Sequence, residues 1–149
     1  MKMNYKDLKG IARVICILKE GHYELDVQED KVIISKGTGR YKMVVYRNGR
    51  ICRKSKNKET EIIAIESNDK YYDRIQILNS CERVVVHNLV YVVFNQDMWD
   101  NILDNYNVND IYVIHHSDYN RYNNSVDNLV LFLNSQHIKF HKEQRRCLR

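Results

Sequence analysis

A chain of 149 residues is long enough for one packed domain, or for two small modules sharing a surface, and too short for two full-size ones. With 44% hydrophobic and 29% charged residues it has the makeup of a folded globular protein, and no apolar run approaches the roughly 18–20 residues of a membrane span. Lys and Arg number 24 against 19 Asp and Glu, a formal charge of +5, which admits a polyanionic partner without requiring one. In chain order, the opening MKMNYKDLKG and the Arg13 beyond it carry too many charges for a secretion-signal core, so a cytoplasmic location is expected. Residues 5 to 18 fit two readings. ARVICIL has strand-like residues, whereas Leu8, Ile11, Ile15 and Leu18 share a helical spacing with Gly21 placed for a C-cap.

HYELDV, KVIIS, YKMVVY and EIIAI are short runs rich in Val, Ile and Tyr separated by turn residues, the pattern of a β-meander. Inside it, Asn48-Gly49 between two apolar runs predicts a type I′ hairpin turn. After the polar patch ESNDK, the runs YYDRIQI and ERVVV predict a second hairpin. HNLVYVVF then predicts a short helix over residues 87–95, because Leu89, Val90, Val93 and Phe94 can share one face. Residues 96–110 read as a connection with a helical turn near Met98 to Leu103. Cys16, Cys52, Cys81 and Cys147 are far apart and form no CxxC pair, which argues against both a disulfide scaffold and a zinc ribbon. Basic residues gather in KGTGRYK, RNGRICRKSKNK and the tail KFHKEQRRCLR, segments able to lie along phosphates.

The chemistry concentrates in IYVIHHSDYNRYNNSVDNLVLF and the segment after it. The pattern is strand, polar loop, strand, helix. Asp118, Asn120, Asn123, Asn124 and Asp127 suit an irregular loop, and Asn134 or Ser135 suits an N-cap. On the helix, His137 and His141 are four residues apart and project from one face, which makes half of a metal site. His115 and His116 are the available third ligands. Since adjacent strand residues face opposite ways, only one of them can serve, and the other is left for a different task such as taking a proton from water. His87, at a strand-to-helix junction, reads as structural, His22 as surface and Trp99 as packing.

VHNLVYVVF followed by IHHSDYNRYNNSVDNLVLFLNSQHIKFH resembles the HNH endonuclease family, in particular the small homing-type enzymes of phages and mobile introns. The likeness runs roughly from Tyr71 onward, and the spacing of His116, Asn128 and His137 matches the family signature. It implies an α+β fold with a ββα-metal finger at the C-terminus (residues 71–149) after a β-rich, DNA-contacting N-terminal region (residues 1–70). It implies a metal-dependent hydrolase of double-stranded DNA, monomeric or homodimeric, encoded by a phage or working in a bacterial host. His115, His137 and His141 fall on metal-ligand positions, His116 on the general base and Asn128 on the residue that braces the loop. Arg121, Lys139, Lys142, Arg145 and Arg146 are expected to meet nucleic acid. The divalent ion is Mg, Mn or Zn; three imidazoles suit Zn²⁺ or another transition ion better than Mg²⁺. Tyr119 stands where the family commonly has Gly, and Asn88 where it has Arg, a change that would remove a phosphate contact. A non-catalytic DNA-binding module and a nonspecific nuclease toxin are the alternatives.

Overall fold

A computed structural model of the chain describes residues 4–62, 65–66, 73–78 and 80–147. The boundary expected between residues 70 and 71, most of the ESNDK patch, Tyr71 and Tyr72 fall outside these. The helices are α1 (Gly10–Glu20), α2 (Val86–Phe94), α3 (Trp99–Asp104) and α4 (Asn134–Cys147). The strands are β1 (Glu24–Val27), β2 (Lys31–Ser35), β3 (Lys42–Tyr46), β4 (Ile51–Lys54), β5 (Glu59–Glu61), β6 (Ile65–Glu66), β7 (Asp73–Gln76), β8 (Arg83–Val85), β9 (Tyr112–His116) and β10 (Leu129–Leu133). The class is α+β, as expected. Among the described residues no helix is long and apolar enough to cross a membrane.

Of the two readings of residues 5 to 18, the helix holds. Seven residues of α1 are buried, so the helix is enclosed on nearly every side by α2, α3 and β9. That burial outweighs the few tenths of a kcal/mol per residue by which β-branched side chains disfavour a helix. At its end the Tyr23 amide donates to the Leu18 carbonyl and the His22 amide to that of Lys19, both at 3.2 Å. The left-handed residue of this Schellman turn is His22 (φ +53°), while Gly21 stays helical at φ −75°.

Strands β1 to β5 form an antiparallel meander in sequential order, as expected for the runs HYELDV, KVIIS and YKMVVY; of the run EIIAI, Glu61 ends β5, Ile65 opens β6 of another sheet, and residues 63 and 64 lie outside the described ones. Alternating Val32 and Ile34, and Met43 and Val45, turn into the core with Ile51. The β3–β4 connection differs from the type I′ turn expected. The Gly49 amide donates to the Tyr46 carbonyl (2.9 Å) and the Tyr46 amide to that of Arg50 (2.8 Å), with positive φ at Gly49 (+90°) and not at Asn48. This is a three-residue loop closed by a bulge, in which one left-handed residue does what a type I′ turn needs two to do.

The predicted second hairpin is β7–β8, extended by β6 into a three-stranded sheet, and α2 follows β8 directly. The half-buried Trp99 donates its indole N–H to the Val92 carbonyl at 2.8 Å, a packing role as expected. One apolar cluster joins α1, the inner face of the meander, β8, α2 and α3 to Ile114, Val126 and Leu129 of the C-terminal segment. Cys16 and Cys52 are buried and Cys81 and Cys147 exposed, and none of the four forms a disulfide.

β9 and β10 pair antiparallel, with His116 opposite Leu129 and His115 opposite Val130, and α4 continues from β10 without a break. The start of α4 is not capped by Asn134 or Ser135 as their residue types suggest. Asp110 does it from a distance: its carboxylate accepts from the Ser135 amide (2.9 Å) and hydroxyl (2.7 Å). The Gln136 side chain also reaches back to the Leu133 amide at 3.0 Å. The two bonds from Ser135, hydroxyl first and then amide, hold the Asp110 carboxyl below the usual carboxylate range.

Candidate metal centre

The pleat of β9 sends the adjacent rings of His115 and His116 to different partners, although both residues are only 7% exposed. His115 meets the first turns of α4. Its Nδ1 lies 3.2 Å from His137 Nε2, which lies 3.0 Å from His141 Nε2, and the three ligand atoms all fall within 4.8 Å of one another. Tetrahedral ligation at zinc-like bond lengths puts imidazole nitrogens roughly 3.3 Å apart, so the two close spacings suit one shared cation. The expected set of His115, His137 and His141 is therefore brought together, and it is able to hold a metal.

Aromatic rings enclose this cluster. Phe132 of β10 and Phe140 of α4 stack on each other at 5.6 Å and meet the His115 ring at 5.7 and 5.1 Å. Burial, then the His137 and His141 rings, pushes the His115 pKa below the ordinary imidazole value; burial and His141 do the same to His137. Both shifts favour the neutral ring, the form that ligates.

His116 points into a different environment. Its Nε2 lies 3.0 Å from the side-chain oxygen of Asn124, which only accepts, so in the neutral ring Nε2 carries the proton and Nδ1 the lone pair. The buried ring of His87, on α2, meets it edge-on at 5.0 Å. Burial, followed by the neighbouring His116, pushes the His87 pKa down to about 3. His87 is thus a neutral packing partner of His116, outside the ligand cluster.

The loop between the strands is organised by Asn128. Its side chain accepts from the Asp118 amide (3.0 Å) and donates to the Asp118 carboxylate and the Asn123 carbonyl (both 2.9 Å), while the Asn128 carbonyl accepts from the Ser117 amide at 2.8 Å. Asp118 and Asn120 cap the amides two residues on, and Asn123 donates to Asp118. The brace expected of Asn128 is present. Tyr119 adopts a left-handed backbone, φ +60°, a conformation better suited to glycine than to a residue with a bulky ring. The ring is 59% exposed and lies 5.2 Å from that of His115.

A cleft of about 220 Å³ is lined by His115, His116, His137, His141, Tyr119 and Arg121, so His116 and the three clustered histidines share one opening with Arg121. A larger cavity of about 630 Å³ lies between the meander and the β7–β8 hairpin, but among the described residues no cluster of three potential metal ligands lies there. Lys139, Lys142, Arg145 and Arg146 are all exposed on α4. Helical periodicity puts Arg145 on the face of His137 and His141 and turns Lys139 away from it.

Local spacing did not reveal Asn124 as the partner of His116, Phe132 and Phe140 as the shell of the cluster, or Asp110 as the cap of α4. Each contact depends on how the strands and helix pack. Comparison of the chain with family models, with curated proteins and with solved structures gave no match.

Proposed function

We propose that the chain is a metal-dependent endonuclease of the HNH type that hydrolyses phosphodiester bonds of double-stranded DNA, with β9, loop 117–128, β10 and α4 as its ββα-metal finger. The observation that carries this reading is the convergence of three imidazoles on one point, with a fourth, of defined tautomer, opening on the same cleft. A divalent cation held by His115, His137 and His141 would supply positive charge to the scissile phosphate and its leaving oxygen. The imidazole set favours Zn²⁺ or another transition ion over Mg²⁺. His116 Nδ1 carries the lone pair that takes the proton of the attacking water. Asn128 keeps the loop that follows His116 in shape, and Arg121 pairs with phosphate at the cleft. The exposed cations of α4 lie along the duplex, where their contribution falls with added salt.

The test is plasmid nicking with Mg²⁺, Mn²⁺ or Zn²⁺, run beside His116→Ala. Loss of the base is expected to slow nicking by about a hundredfold to ten-thousandfold, with DNA binding retained. Equal nicking by the two proteins overturns the assignment. Discrete products point to a site-specific enzyme, and digestion of unrelated DNAs to small fragments to a nonspecific nuclease.

A further inference from the structure

The β3–β4 hairpin of the meander reaches the loop that carries Asn124. The Arg47 carbonyl accepts from the buried Val126 amide at 2.8 Å and from the Ser125 hydroxyl at 3.4 Å. Gly49 packs directly on Asn124: a Cβ at residue 49 would stand 2.7 Å from the Asn124 carbonyl carbon and oxygen and 2.9 Å from its Cβ. The hairpin itself is firmly seated, because Val45 and Ile51 at its base are buried and the Arg47 amide donates to the Asp30 carbonyl at 2.8 Å. The Arg47–Asp127 ion pair, 3.4 Å long with side chains 47% and 87% exposed, adds little. Backbone bonding and steric contact make the connection.

We propose that this hairpin is a positioning element of the candidate site: Arg47 and Gly49 fix the backbone of residues 124–126 so that Asn124 holds the His116 ring in its Nε2–H form. The meander then acts on the ring through two contacts in series, hairpin to Asn124 and Asn124 to His116. Its importance for turnover rests on the nuclease reading; its effect on the ring does not. Gly49 suits the role because any side chain there would strain φ +90° and collide with the Asn124 backbone. An asparagine amide that orients an imidazole is the kind of outer partner whose loss costs about tenfold to a hundredfold in activity.

The experiment uses the full chain with ¹⁵N-labelled histidine, metal-free and at a pH where the rings are neutral. His116 should show only the Nε2–H form in the wild type and a mixture of both tautomers in Gly49→Ala. Asn124→Asp keeps an acceptor oxygen and should keep the wild-type signature, while Asn124→Leu should lose it. In plasmid cleavage Gly49→Ala should lower kcat by about tenfold to a hundredfold, leaving KM and Zn²⁺ affinity unchanged. A wild-type signature in Gly49→Ala or in Asn124→Leu overturns the proposal. If Gly49→Ala does not fold, hydrogen exchange at Val126 in the wild type decides: protection supports the hairpin contact, and exchange at the rate of an open loop overturns it. A wild type that cuts no DNA, with ring signatures following the variants, would remove the nuclease reading and leave the positioning role standing.

Discussion

His115 and His116 are neighbours on one strand and are held in opposite ways. The partners of His115 come from the element that follows the same hairpin, at residues 137 and 141, inside a shell of two phenylalanines. Those of His116 come from α2 and from an asparagine fixed by a turn of the N-terminal sheet. On the first side, three nitrogens crowd together and invite a positive ion between them. On the second, a single hydrogen bond and a packed neighbour determine which nitrogen keeps the proton. A candidate ligand set can thus be assembled from a compact strand–loop–helix unit, whereas the orientation of the His116 ring draws on the whole fold.

The sharpest way to disturb the His116 side is acid. In the unfolded chain His87 takes up a proton near its ordinary value of 6.5, while the folded ring resists until about 3. Its contribution to stability is therefore whole above pH 6.5 and drains as pH falls towards 3, by roughly 4–5 kcal/mol in all and roughly 2 kcal/mol between pH 7 and 5. The lowered pKa values of His115 and His137 act in the same direction. Urea melts at pH 7 and 5 should show the loss, and His87→Leu should flatten it; an equally steep variant would assign the acid sensitivity elsewhere.

The His115 side is best broken at His137, whose Nε2 lies close to both other ligand atoms. His137→Ala should weaken Zn²⁺ binding by roughly a thousandfold, about one ligand's share of a strong zinc site, in a competition titration with a chromophoric chelator. Unchanged affinity would mean that the three rings do not act together. The smallest change is Asn128→Ala. It removes the three hydrogen bonds by which the buried Asn128 holds the exposed Asp118 and the half-buried Asn123, and should cost about 1–3 kcal/mol in chemical denaturation, with Zn²⁺ affinity close to the wild type's.

The ligand triad was legible because its rules are local. A four-residue interval puts His137 and His141 on one helix face, and strand alternation leaves one of His115 and His116 for them. The meander, the β7–β8 hairpin and α2 were legible for the same reason. The β3–β4 turn was read one residue too short, because Asn-Gly is compatible with more than one loop and the register of the strands makes the choice. Residues 5 to 18 stayed ambiguous until packing decided, since a helix buried over most of its surface keeps only a narrow polar stripe, here Arg13, Lys19 and Glu20. The contacts of Asn124 with Gly49, and of Asp110 with Ser135, left no mark in the sequence, because short polar residues serve loops of every kind.

Helix α4 buries none of its residues fully, so little apolar surface fastens it to the body of the protein. Besides the anchor at its first turn, it meets β9 mainly through the rings of residues 137, 140 and 141. An ion bridging strand and helix would rivet the two, and chelation would loosen the whole C-terminal arm along with the chemistry it carries. The basic surface of α4 and the proposed hydrolytic centre would then be switched on and off by the same event.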